Sequence, residues 1–117
     1  MANSAQRLTV RHLRLVAAIT AEGNLLRAAD LLHMTQSAVT KALQDAEARM
    51  GVALFERTNR GVVPTTFGAN LAAHARLILA QIGKAEQAMD DLRDGTAGQV
   101  TIGTLLAGSA DLLPEAI

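Results

Sequence analysis

The chain has no cysteine, tryptophan or tyrosine, only two prolines, and two aromatic residues in all, Phe55 and Phe67. Without cysteine there is no disulfide framework, no thiolate metal site and no cysteine nucleophile, and the expected setting is the reducing cytoplasm. Aromatics at 2% leave alanine, leucine, valine, isoleucine and methionine to supply the apolar half of the sequence. That is the composition of packed helices, not of a sandwich or barrel. Long apolar runs are also missing. The most apolar stretch, residues 71–82, is interrupted by His74, Arg76 and Gln81. Residues 1–7 lack the apolar core of a signal peptide, so neither a membrane span nor a targeting segment is expected. A length of 117 residues suits one folding unit and falls short of the roughly 250 that a two-domain enzyme uses.

Excess charge of one sign is absent as well, since eleven basic residues balance eleven acidic ones. The zero averages two unlike parts: residues 1–70 carry +3 and residues 71–117 carry −3. A mildly basic front and an acidic back suit a module that meets a polyanion at one end only.

Apolar residues at helical spacing, Val10, Leu13, Val16 and Ala17, predict a first helix from Thr9 that stops at Gly23. Asn24 is placed to cap a second helix of about two turns carrying Leu25, Ala28, Ala29 and Leu32. After the turn His33-Met34, Thr35 is placed to cap a third that buries Val39, Leu43, Ala46 and Met50 and ends at Gly51. The period then becomes extended: Ala53 to Thr58, a turn at Asn59-Arg60-Gly61, and Val62-Val63 closed by Pro64 read as a small hairpin. Thr65 or Thr66 then caps a helix of about 28 residues, roughly 42 Å long. Its Leu71, Ala75, Ile78, Ile82, Ala85, Met89 and Leu92 alternate spacings of four and three, a heptad seam that calls for a partner. Gly95-Thr96-Ala97-Gly98 breaks the helix, and residues 99–117 read as one strand and one short helix, the opening of a further domain. The expected organisation is therefore a head over 1–65, a linker and dimerisation helix over 66–94, a hinge at 95–98 and the start of a truncated domain over 99–117.

Short helix, turn, second helix and a basic hairpin make a mainly α fold, the winged helix-turn-helix. Its second helix lies in the DNA major groove with its amino end at the base edges. Here that end reads Thr35-Gln36-Ser37-Ala38-Val39-Thr40-Lys41, with Val39 inward and Gln36, Ser37, Thr40 and Lys41 outward. Glutamine can bond adenine N6 and N7 together, lysine can donate to guanine or phosphate, and a threonine methyl can touch thymine. The hairpin tip brings Arg57 and Arg60, the latter suited to a minor groove or its phosphates.

The run Ala28-Ala29-Asp30-Leu31-Leu32-His33-Met34-Thr35-Gln36-Ser37-Ala38-Val39-Thr40-Lys41, followed by Gly51-Val52-Ala53-Leu54-Phe55-Glu56-Arg57, resembles the amino-terminal domain of LysR-type transcriptional regulators. The likeness continues through Thr65 to Gly68 and the long helix, and covers residues 8–94. It implies a recognition helix that reads double-stranded DNA, a hairpin wing, homodimerisation through the linker helix, and a small-molecule sensing domain in a full-length chain. RNA polymerase is a candidate partner. Carried over by position, Gln36, Ser37, Thr40 and Lys41 match base and phosphate contacts, Thr35 the cap, and Arg57 and Arg60 the wing. This chain departs from the family's common residues at Ser37, where proline is frequent, and at Lys41, where arginine is frequent. Leu25-Leu26 also departs, replacing an aromatic and a small polar residue, and Ala46 replaces a larger core side chain. Lysine is a point donor where arginine is a fork, which weakens bidentate guanine reading.

Other residues have plainer readings. Arg11, Arg14 and Arg49 read as solvated charges, while Arg27, on the exposed side of the second helix, is a candidate phosphate contact. His12, His33 and His74 lack the spacing of a helical zinc pair, and Asp90-Asp91-Asp94 reads as an exposed helix end, so no metal or cofactor is expected. Ser37 sits in no nucleophile elbow and Gly83-Lys84 in no phosphate loop, so no enzyme is expected. The alternative is an interaction module in which the long helix pairs with another protein. It is separable because DNA binding, unlike protein docking, weakens steeply with salt.

One expectation follows from the last segment. One strand and one short helix cannot wall the roughly 300 Å³ or more that a ligand pocket takes. The 117-residue chain is therefore expected to bind DNA with the same affinity in the presence of saturating aromatic acids, sugars or other metabolites. A reproducible shift in affinity would show a complete sensor within these residues.

Overall fold

The computed structural model describes residues 6–95, and the strand and helix expected over 99–117 lie outside them. Helices α1 (Val10–Glu22), α2 (Leu25–Leu32) and α3 (Gln36–Met50) are followed by strands β1 (Phe55–Thr58) and β2 (Gly61–Pro64) and by helix α4 (Thr66–Asp94). The chain divides into two units, one ending at Ala80 and one starting at Gln81, which are described separately.

Each helix of the head begins on a side chain that captures an otherwise unpaired N–H. Thr9 Oγ1 accepts from His12 N at 3.2 Å, and His12 Nδ1 accepts from Thr9 N at 3.0 Å. This is a reciprocal box closed by histidine in place of the usual glutamate. Asn24 Oδ1 accepts from Arg27 N at 3.0 Å, and Thr35 Oγ1 from Ala38 N at 3.1 Å. Both α1 and α3 end on a left-handed glycine, Gly23 and Gly51, whereas α2 ends on His33 at φ 58°. Of the two threonines open as cap for α4, Thr65 takes the role, accepting from Gly68 N at 3.2 Å.

The three helices enclose a core in which Val16, Ile19, Ala28, Val39 and Ala46 are wholly buried, joined by Leu15, Leu54, Phe55 and Val62. Alanines at 28, 29 and 46 let the helices approach closely. The hairpin pairs antiparallel with Phe55 opposite Pro64 and Thr58 opposite Gly61. It starts two residues later than the expected Ala53, because Ala53 serves a different bond: its carbonyl accepts from Thr65 Oγ1 at 2.7 Å. Gly61, expected in the turn, belongs to β2, leaving Asn59-Arg60 as a two-residue loop.

Three contacts fix this wing to the helices. Glu47 Oε2, on α3, accepts from Leu54 N at 2.7 Å and Phe55 N at 3.3 Å. Val62 N donates to the Gly23 carbonyl at 3.0 Å, and a Cβ at Gly61 would overlap that same carbonyl. Thr65 N donates to the Leu54 carbonyl at 2.9 Å, against which α4 lies so closely that a Cβ at Gly68 would collide with it. Ala72 and Ala75 continue the buried side of α4, with Leu71 half-buried against the core. Ala75 corrects the heptad reading. It is wholly buried within this single chain, so it cannot face a second copy, and exposed His74 stands at the adjacent position.

His12, left by the sequence to packing or solvation, is buried and joins α1 to α3: its Nε2 lies 2.9 Å from Asp45 Oδ2. Because Nδ1 accepts from the Thr9 N–H, the ring proton resides on Nε2 and is donated to Asp45. Arg49, read as a solvated charge, reaches the same carboxylate oxygen at 3.0 Å. In the second unit Arg93 pairs with Asp90 and Asp94, and Gln87 donates to Asp91, so each carboxylate of the acidic helix end has a partner while the end stays net acidic.

The hydrogen bond from His12 and then the Arg49 guanidinium hold the Asp45 carboxyl below its ordinary 3.8, against an opposing cost of desolvation. A carboxyl with a depressed folded pKa contributes stability above its unfolded pKa and loses it as pH falls through the folded value. Urea unfolding between pH 7 and pH 2.5 is expected to show Asp45→Asn less stable than the parent at pH 7. The two should converge below about pH 4. A constant difference across the range would place the effect elsewhere.

Candidate nucleic-acid interface

α3 presents its amino end outward because Val39, Leu43 and Ala46 turn the opposite side into the core. Thr35 sets the first turn, and its hydroxyl lies 3.4 Å from Ser37 Oγ. Gln36, Ser37 and Lys41 are exposed and Thr40 half-buried, and together these four line one shallow surface. Neither α2 nor α3 has an acidic side chain in its first turn, so the positive ends of both helix dipoles stay free to meet phosphate.

The wing closes the other side. A cleft of about 310 Å³ is lined by Asn24, Leu26, Gln36, Arg57 and Thr58 over the buried Leu25 and Val62. A smaller one of about 140 Å³ brings Arg57 beside Thr40, Gln44 and Glu47. Arg57 therefore stands between the wing and α3, next to two of the base-reading candidates, and not at the hairpin tip. Arg60 does occupy the tip, exposed, with its N–H held by Thr58 Oγ1 at 3.2 Å while that hydroxyl donates to the Gly61 carbonyl. Arg27 is exposed on α2 but lines neither cleft, so it is not brought together with Gln36 and Arg57.

Two members of this wall, Gln44 and Leu26, are not among the contacts expected from the sequence. Gln44 is exposed and continues the spacing Gln36, Thr40, Gln44, four residues at a time, a signal that was available. Leu26 is 57% exposed, and the sequence marks it only as a departure from the small polar residue common in the family. A further concavity, of about 670 Å³, runs between α1 and α3 and includes Arg11, Arg14, Lys41 and Arg49 around an apolar floor. Its one carboxylate, Asp45, is engaged by His12 and Arg49.

On α4, Leu71 and Ala75 are drawn towards the head, whereas Ile78 is exposed. Phe67 and Leu77 are exposed too, at 57% and 71%, and were not named for the seam. In the second unit Ala85, Met89 and Leu92 are exposed and Ile82 half-buried. Among the described residues, no helix is long and apolar enough to cross a membrane.

Three helices, a two-stranded wing and an outward amino end of α3 define a winged helix-turn-helix of the DNA-binding regulator class. The model for bacterial regulatory helix-turn-helix proteins of the lysR family matches residues 10–69, and the chain belongs to that family. It is 43% identical over 111 residues to the HTH-type transcriptional regulator GbpR of Azospirillum brasilense, covering 95% of this chain and 32% of that protein. The chain thus spans about a third of the length of the curated relatives it matches. Among solved structures it is similar to a CbnR_DBD-DNA complex, with 32% identity and a TM-score of 0.66 over 74% of this chain and 99% of that one. It is also similar to a BenM_DBD/benA site 1 DNA complex, with 27% identity and a TM-score of 0.70 over 75% and 99%. These relatives are transcriptional regulators.

Proposed function

We propose that this chain is the sequence-reading head of a cytoplasmic transcriptional regulator that binds duplex DNA as a homodimer. The observation that carries the reading is the exposed face of α3, where Gln36, Thr40 and Gln44 follow one another at four-residue spacing beside Ser37 and Lys41. These side chains read base edges in the major groove, Gln36 by paired bonds to adenine and Thr40 by its hydroxyl and methyl. Lys41 and Arg57 neutralise flanking phosphates, and Arg60 enters the adjoining minor groove from the wing tip. Arg27 contacts the backbone further along α2. The similarity to the two DNA complexes supports this docking. Effector sensing and contact with RNA polymerase are assigned to a full-length chain, the relatives being about three times the length of this one.

Pairing is assigned to α4, through Leu71 at its edge and Ile78, Ile82, Ala85, Met89 and Leu92. Phe67, near the start of the same helix, is exposed as well. Two-fold pairing of heads would match a site of two half-sites about one helical turn apart.

Selection of bound duplexes from a random pool is expected to return a two-fold site. Against it, Gln36→Ala and Thr40→Ala should each lose about 1–3 kcal/mol of discrimination at particular bases, whereas Arg60→Ala should weaken all sequences alike. Unchanged base preference in the first two variants would refute the assignment of α3. The parent's affinity should also fall steeply with salt, as a protein-docking module's would not.

Ile82→Asp would bury an unpaired carboxylate in the paired seam, a cost sufficient to separate the helices. Light scattering is expected to give a dimer for the parent and a monomer for the variant. A variant of parental mass would move the interface off this helix.

A further inference from the structure

We infer that Leu26 is a base-reading residue, supplying the apolar contact by which this head recognises the 5-methyl group of a thymine. The inference deepens the proposed DNA reading and rests on it. Leu25 and Leu26 open α2, and the two neighbours have opposite fates: Leu25 is 5% exposed in the core, Leu26 is 57% exposed. A single exposed leucine is ordinary, so its location has to supply the argument. Leu26 lines the cleft of about 310 Å³ with Asn24, Gln36, Arg57 and Thr58. It is the one large apolar side chain exposed in that polar and cationic wall, since Leu25 and Val62 beneath it are buried. A wall of amides, a hydroxyl and a guanidinium suits a polyanion better than an apolar protein surface. Leu31, the other exposed leucine of α2, is five residues on and so faces about 140° away.

Leucine has no donor or acceptor, so it cannot recognise a base by hydrogen bonding. In the major groove one standard base alone offers an apolar group, the C5 methyl of thymine. The amino end of α2, free of acidic residues in its first turn, favours a phosphate beside Leu26. Gln36, across the cleft, reads hydrogen-bonding edges in the same groove. A methyl contact at one step and an amide contact at a neighbouring one are thus delivered by two different helices of the same motif.

The test uses the full chain and the duplex selected from a random pool, with each thymine replaced singly by dU, which removes the methyl and keeps the pairing. The parent is expected to lose about fourfold in affinity, the worth of one buried methyl, at the position in each half-site that Leu26 reads, separately from any thymine that the Thr40 methyl touches. Leu26→Ser should lose a similar factor on the thymine duplex and show no further loss with dU at that position, whereas Leu26→Met should keep the sensitivity. Since Leu26 is exposed, the variants should melt with the parent. If specific binding persists but no dU position weakens the parent, or Leu26→Ser keeps the full dU effect, the inference is wrong and the DNA reading stands. If Leu26→Ser weakens every sequence alike with no change at dU, the leucine contacts backbone and the inference is again overturned. Failure to select any sequence would overturn both.

Discussion

The Glu47 carboxylate is where the helical half of the head meets its β half. One of its oxygens accepts the N–H groups of Leu54 and Phe55, where the chain enters β1. Hydrogen bonds to a charged group are among the stronger ones available, at about 1.5–3 kcal/mol each. They fix where β1 starts relative to the helix whose face carries Gln36, Thr40 and Gln44. Leu54 is then pinned from the other side as well, because its carbonyl accepts from Thr65 N and lies against Gly68 of α4. A single peptide segment therefore takes its position from α3 on one flank and from α4 on the other. The placement of Arg57 beside α3 follows from it.

Much of this was legible in the sequence, and for a local reason. Thr9, Asn24, Thr35, Gly23 and Gly51 act on backbone groups within four residues of themselves, so their caps can be read from chain order alone. Apolar spacing placed Val16, Val39 and Ala46 in the core for the same reason. What escaped reading depends on partners distant in the chain. His12 finds Asp45 thirty-three residues away, and Glu47 finds a strand beyond a turn. Whether Ala75 belongs to an intermolecular seam or to the head depends on Gly68 allowing α4 to close on Leu54. Heptad spacing cannot make that distinction, since 71, 74 and 78 satisfy it as well as 71, 75 and 78.

The candidate site divides along the same line. Gln36, Ser37, Thr40 and Lys41 share one helical face and were found by periodicity. Arg57 was assigned to the hairpin tip, and its place beside α3 emerges from the two clefts that it lines. Leu26 was noted only as a departure from the family's common residues, because helical spacing gives the core to Leu25 and assigns its exposed neighbour no role.

The wing is anchored at its base, through Val62 to the Gly23 carbonyl and through Leu54 and Phe55 to Glu47, and none of these bonds involves Asn59 or Arg60. Loop tips of this kind accept inserted residues more readily than any other part of a domain. Reach and footing are consequently independent properties of this hairpin. A longer or shorter tip would alter how deeply the cation at position 60 extends from the head, while the helices beneath keep their arrangement. Under the proposed docking, a lineage can thus adjust its grip on the narrow side of a duplex without renegotiating the letters read on the broad side.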